Sequence, residues 1–248
     1  MIRRLAALLA GLIAAGSAFA QMPGRGDDAR RMQADDAANP AFLWVKRGEE
    51  LWSSRPGTNG KSCADCHGAA ETSMRGVGAR HPEFVAALAR PLALDQRIDR
   101  CRTERQNLSP LGPDDDDLLG LAAFVGLQSR GLPVAARSDG SAAPFFEAGR
   151  RIYWQRLGQF NLACVQCHDR LVGERLGASV VPPARINGYP IYRLDWQGMG
   201  SFYKRLRSCM VGVRAEPFEP NSPECVALEL YLSARETGST VDTPAVRP

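Results

Sequence analysis

Apolar residues in this chain gather into short stripes separated by long polar stretches. Trp44 and Val45 stand seven residues before Leu51 and Trp52, and Phe145 and Phe146 stand seven before Ile152 and Tyr153. Apolar pairs recurring at that interval fall on one face of a helix, so each segment predicts a helix burying a single stripe. Gly48 and Gly149 sit in the middle of these stripes, where the missing side chain lets a second backbone come close. The partners expected for that approach are helices at 118–129 and 226–234. Strand signals are sparse, and the fold expected is mainly α.

The two stripes match at a constant offset of 101 residues: Trp44 with Phe145, Val45 with Phe146, Gly48 with Gly149, Leu51 with Ile152, Trp52 with Tyr153. This predicts two tandem halves related by an internal repeat. Polar stretches punctuate them. Residues 21–40 read as a flexible N-terminal arm, 132–144 as a linker and 239–248 as a frayed tail. The halves are then 41–131 and 145–238. At the start, Arg3 and Arg4, an apolar run over 5–15 and Ala18-Phe19-Ala20 form the pattern of a secretory signal peptide at 1–20. That run is too short to cross a bilayer and no second one follows, so no membrane association is expected. Without Arg3 and Arg4 the chain keeps 29 basic against 27 acidic residues, a balance that gives no reason to expect nucleic acid. The acidic run 114–117 precedes a predicted helix, where negative charge is favourable, and reads as a helix start rather than a metal site.

Cysteine and histidine change the picture. Cys63-Ala64-Asp65-Cys66-His67 and Cys164-Val165-Gln166-Cys167-His168 are two C-x-x-C-H motifs at the same offset of 101. This is the attachment signature of c-type haem, in which both thiols bond to the porphyrin and the adjacent histidine binds iron. Two covalently bound haem c groups are expected, held by Cys63, Cys66, Cys164 and Cys167, with His67 and His168 on the irons. Such haems are attached outside the cytoplasm, so the expected location is the periplasm.

A sixth ligand is needed for each iron. The third histidine, His81, reads as a surface turn residue, while Met74, Met199 and Met210 are open as ligands. Seven cysteines less four anchors leave Cys101, Cys209 and Cys225. Cys101 lies 34 residues beyond His67 and Cys209 lies 41 beyond His168, each flanked by arginines: Arg100 and Arg102, Arg205 and Arg207. Neighbouring cations favour thiolate over thiol, making Cys101 and Cys209 the candidate distal ligands. A disulfide between them, or two buried thiols, is the alternative. Cys225, at the start of the last helix, reads as a half-buried inert thiol. The order helix, C-x-x-C-H, long loop, closing helix resembles the cytochrome c domain. The fold class is then two tandem cytochrome c-like haem domains.

Several stretches carry a closer resemblance: Gly149-Arg150-Arg151-Ile152-Tyr153, 158–164, Tyr192-Arg193-Leu194-Asp195-Trp196, Arg205-Leu206-Arg207-Ser208-Cys209, 213–217 and Leu228-Glu229-Leu230-Tyr231-Leu232. From about residue 42 to 238 the chain resembles the A subunit of the SoxAX cytochromes of bacterial thiosulfate oxidation, and the intact first motif with Cys101 resembles its dihaem members. The resemblance implies an enzyme, an L-cysteine S-thiosulfotransferase. Such a protein pairs with the monohaem cytochrome SoxX and couples thiosulfate oxidatively to a cysteine of the carrier SoxYZ. Two electrons pass to a downstream electron-accepting cytochrome. It further implies that Cys209 is the reactive, persulfide-bearing ligand and that Arg205, four residues before it, contacts substrate. Between 185 and 214 stand six basic residues and one acidic residue, Asp195, a field suited to a dianion. The competing expectation is a periplasmic dihaem electron carrier without bond-making activity, which would use methionine ligands. A dihaem peroxidase would need a histidine-rich distal set that the chain lacks.

Overall fold

The computed structural model describes residues 25–177 and 179–248. The expected signal peptide at 1–20 lies outside the described residues. Two crossed helix pairs hold the two main cores. In the first, α2 (Phe42–Ser53) crosses α6 (Asp116–Leu127); in the second, α7 (Ala143–Trp154) crosses α10 (Pro223–Arg235). Each crossing is made at a glycine. A Cβ on Gly48 would lie 2.1 Å from the Gly120 carbonyl oxygen, and one on Gly149 would lie 1.9 Å from that of Ala227. The aromatic side chains one turn on, Phe124 and Tyr231, close over Trp52 and Tyr153 with ring centroids 5.9 and 5.4 Å apart.

The elements between the pairs are short. α1 (Arg25–Ala34) precedes α2, and α3 (Cys63–His67) and α4 (Ala70–Ser73) follow it. A two-stranded ladder of β1 (Glu83–Val85) and β2 (Arg90–Leu92) leads into α5 (Leu94–Gln106). After α7 comes α8 (Cys164–His168), then a hairpin of β3 (Arg175–Leu176) and β4 (Ser179–Val180). A three-stranded sheet of order β6-β5-β7 is built from β5 (Ile191–Arg193), β6 (Gly198–Gly200) and β7 (Ala245–Arg247), with α9 (Phe202–Gly212) leaving β6. β5 runs antiparallel to β6 and parallel to β7, pairing Arg193 with Gly198 and with Arg247.

Helix starts follow local chemistry. Asp115 caps α6 by accepting the Asp117 N–H at 2.9 Å, and Ser222 caps α10. The rest of the acidic run is employed one residue at a time: Asp114 accepts from both Ser201 groups at the start of α9, Asp116 takes the Trp44 indole N–H, and Asp117 pairs with Arg47. Among the described residues no cluster of metal-binding side chains exists, and no helix is long and apolar enough to cross a membrane.

Three polar stretches depart from expectation. The arm at 21–40 contains α1, packed on β7. Gln33 donates to Asp242 at 2.6 Å and accepts from the Val246 N–H at 2.9 Å and from Arg247. The tail at 239–248 therefore holds a strand rather than fraying, with Val241, Ala245 and Val246 buried. The linker is also fixed. Val134 exchanges backbone hydrogen bonds with Ser239 and Gly238, Ala135 donates to Ala79, and Ala136 and Ala142 are buried. Polar composition hid this because the order comes from backbone pairing with segments far away in sequence.

Packing also crosses the linker. Tyr192, Met199 and Val246, from the three-stranded sheet, are buried in the same cluster as Val45, Trp52, Leu119 and Phe124. The second cluster joins Tyr153, Val165, Leu206, Met210, Leu228 and Tyr231.

Candidate functional site

The first C-x-x-C-H is the one-turn helix α3, set by a reciprocal cap. The Asp65 N–H donates to Ser62 Oγ at 3.0 Å, and the Ser62 N–H returns to Asp65 Oδ2 at 2.7 Å. Arg55 makes two bonds to the same carboxylate, at 2.8 and 2.6 Å, and these hold the Asp65 carboxyl far below the usual range. Trp52 donates its indole N–H to the Gly68 carbonyl at 3.0 Å, and its ring lies 5.7 Å from that of His67. Cys101, on α5, is in electrostatic reach of Cys63, whose thiol is pushed up mainly by burial. Gln106 Nε2 stands 3.7 Å from Cys63 Sγ.

The second motif, α8, is held by Gln166, which accepts the Ala163 N–H at 2.7 Å. A polar network closes its other end. Tyr153 donates its hydroxyl to Asp169 at 2.6 Å, and Arg235 pairs with the same carboxylate at 2.9 Å while lying 4.8 Å from the Tyr153 ring. His168 Nδ1 is 2.8 Å from the Pro182 carbonyl oxygen. That contact requires the proton on Nδ1, the arrangement of an imidazole that binds metal through its other nitrogen. Cys209, on α9, stands within hydrogen-bonding range of His168 and in electrostatic reach of Cys164. Burial alone would raise its thiol, but His168, Arg205 and Arg193 outweigh that and bring it below the ordinary value.

Cys101 and Cys209 are therefore in different places, each beside its own motif, and all seven cysteines are free. The disulfide alternative does not hold. Met199 and Met74 are buried in the first core cluster and Met210 in the second. His81 is not the surface residue expected: its side chain is 6 % exposed, with Nδ1 2.7 Å from the Val77 carbonyl oxygen. Burial lowers its affinity for a proton. Cys225 is buried, with Sγ 3.4 Å from the Glu219 carbonyl oxygen and its thiol pushed up by burial.

Only part of the cationic field expected over 185–214 faces Cys209. Lys204 lies over the Trp196 ring at 4.7 Å, Arg214 over Phe160 at 5.0 Å, and Arg185 pairs with Glu236 at 3.9 Å. Arg207 acts on Tyr203. Arg205 and Arg193 remain as the cations that act on the Cys209 sulfur. Sequence reading singled out Arg205 and left Arg193 among the general charges. Arg193 lies in the Tyr192–Trp196 stretch of the resemblance, but that stretch does not say that it meets Cys209, since its position depends on how β5 enters the sheet.

The donor chemistry of the second motif fits haem c: two thiols one helical turn apart, an imidazole oriented through Nδ1, and a further sulfur, that of Cys209, beside it. The following loop leaves Leu171, Val172, Leu176 and Val180 between 44 % and 71 % exposed, apolar surface of the kind a porphyrin covers. Comparison with known proteins agrees. Residues 47–134 match the family described as SoxA/TsdA, cytochrome c domain. The L-cysteine S-thiosulfotransferase subunit SoxA of Pseudaminobacter salicylatoxidans is 40% identical over 221 residues, 89% of this chain and 77% of that one.

The chain belongs to the SoxA family.

The SoxA of Paracoccus pantotrophus is 37% identical over 223 residues, covering 90% of this chain and 77% of that protein. The crystal structure of SoxXA from P. pantotrophus matches with a TM-score of 0.87 at 37% identity, covering 90% of this chain and 84% of that one. The fold is thus a mainly helical cytochrome c fold of SoxA type, and its cofactor is covalently bound haem c.

Proposed function

We propose that this chain is the SoxA subunit of an L-cysteine S-thiosulfotransferase, coupling thiosulfate to a cysteine of the SoxYZ carrier in sulfur oxidation. The observation that carries the reading is Cys209. Its sulfur faces His168 beside Cys164, with Arg205 and Arg193 acting on it. Two cytochrome c-like units, 41–131 and 145–238, each hold one haem c. Cys63, Cys66, His67 and Cys101 would hold the first; Cys164, Cys167, His168 and Cys209 would hold the second. The likeness to SoxXA supports a monohaem SoxX partner, and export to the periplasm suits haem attachment.

In the overall reaction, thiosulfate and a carrier thiol form a sulfur–sulfur bond and release one proton and two electrons. Haem supplies the electron acceptor, and the electrons leave to a downstream cytochrome. This chain's residues prepare the sulfur chemistry. Arg205, one helical turn before Cys209, draws the dianion in and favours the thiolate. His168 is fixed through Pro182, and the Asp169 network fixes the end of α8. Cys209 then presents a polarisable, anionic sulfur to thiosulfate.

The test is conjugation of thiosulfate to carrier cysteine by the purified complex with SoxX, before and after Cys209→Met. Loss of turnover with both haems retained is expected. Unchanged turnover would remove Cys209 from the reaction.

A further inference from the structure

Arg193 ends the central strand β5, and its side chain is only 16 % exposed. One end of its guanidinium is held: Nη2 lies 3.2 Å from Asp195 Oδ2, and the group stacks 5.2 Å from the Trp196 ring. The other end is not. Nε is buried without a hydrogen-bond partner among the described residues. Burial and the nearby charge of Arg205 both work against holding a cation there. An orphaned guanidinium N–H beside a second guanidinium costs stability, and such groups persist where a ligand completes them. A planar cation with free N–H groups matches an oxyanion.

We propose that Arg193 is the second arm of an anion clamp, binding the sulfonate oxygens of thiosulfate together with Arg205 so that the outer sulfur meets Cys209. This rests on the thiosulfate-coupling reading above. The two arms come from different elements, a strand and a helix, so they approach the anion from separate directions. Asp195 and Trp196 hold one edge of the fork in place and leave Nε unpaired on the other. An oxyanion could reach Arg193 from two sources, thiosulfate or a haem propionate, and the test separates them.

The haem-loaded complex with SoxX is prepared with Arg193→Gln and Arg193→Lys. Thiosulfate affinity is measured by calorimetry without carrier, turnover with carrier, and haem midpoint potentials by redox titration. Gln should weaken thiosulfate binding about tenfold, the size expected for one lost charged hydrogen bond. KM should rise far more than kcat falls, and midpoint potentials should stay in place. Lys, a point charge without the fork, should fall between Gln and wild type. Should Gln fail to load haem, weakened thiosulfate binding in the Lys variant carries the same conclusion. Unchanged thiosulfate affinity overturns the proposal, and unchanged affinity with shifted potentials assigns Arg193 to a propionate. Cys209→Met is run beside them: its retaining turnover would defeat the coupling reading, while the affinity of Arg193→Gln would still decide the clamp.

Discussion

Replacing Gly149 by alanine tests how the second helix pair is held. The added Cβ would stand 1.9 Å from the Ala227 carbonyl oxygen, 2.5 Å from its carbon and 2.8 Å from Tyr231 Cβ. Two of these three atoms are backbone, so no side chain can swing aside. Normal carbon–oxygen contact lies near 3.3 Å, so α7 must withdraw from α10 by roughly 1.4 Å along that contact. Overpacking of this kind costs about 1–3 kcal/mol, whereas Gly→Ala in an unobstructed helix interior gains about 1 kcal/mol. The two effects have opposite signs, and the collision should win. Because the obstruction is backbone, the upper end of that cost applies, leaving a net loss of about 2 kcal/mol and a melting point lower by about 4–8 °C, at about 2–4 °C per kcal/mol. Thermal and urea unfolding of the haem-loaded protein measure it. Gly212→Ala is the control, because a Cβ there meets nothing within 4 Å, and it should be neutral or mildly stabilising. Equal or greater stability of Gly149→Ala than wild type would refute the close-packing argument. Because α7 also carries Tyr153, the partner of Asp169, its displacement should also be visible in the haem absorption spectrum.

Two further predictions concern the fold rather than Cys209 itself. Asp95, which shares a crevice with Glu229, is pushed up from 3.8 to about 6 by burial and by the charges of Asp114 and Asp99. A folded carboxyl that keeps its proton longer than the unfolded one favours folding at low pH, and this contribution is lost as pH rises from about 4 through about 6. Asp95→Asn should therefore raise the melting point at pH 8 and leave it nearly unchanged at pH 4, the difference being at most about 3 kcal/mol. Equal effects at both pH values would count against the buried-acid account. Gln33→Ala removes the contacts that tie α1 to Asp242, Val246 and Arg247. It should cost about 1–3 kcal/mol and speed proteolytic loss of the last residues, read by mass spectrometry; an unchanged cleavage rate would show that the sheet holds the tail alone.

Whatever depended on neighbours in sequence could be read directly. The two haem motifs are contiguous, and the stripes around Gly48 and Gly149 mark the α2 and α7 crossings without reference to anything distant. The closing helices were expected at 118–129 and 226–234 and lie at Asp116–Leu127 and Pro223–Arg235, shifted by the caps Asp115 and Ser222. Arg205 against Arg207 as the substrate contact rests on family spacing alone; which of the two lies on the Cys209 face follows only once α9 is in place. Residues four apart share a helix face, while residues two apart point away from each other. With Cys209 facing His168, Arg205 had to accompany it and Arg207 could not. Long-range pairing escaped notice. Gln33 meets residues more than 200 positions away, and His81 is covered by the fold around it. Arg193 owes its place to a strand three residues long.

The sheet that positions Arg193 leans on the first helix pair through Tyr192, Met199 and Val246. Producing the second half on its own, cut at the linker, would strip the cover from these three side chains and loosen the strand that carries Arg193. The first half thus serves as a buttress whether or not it carries a redox group. Loss of Cys63 and Cys66 would therefore leave the demand on α2 and α6 unchanged, because the sheet that carries Arg193 rests against them.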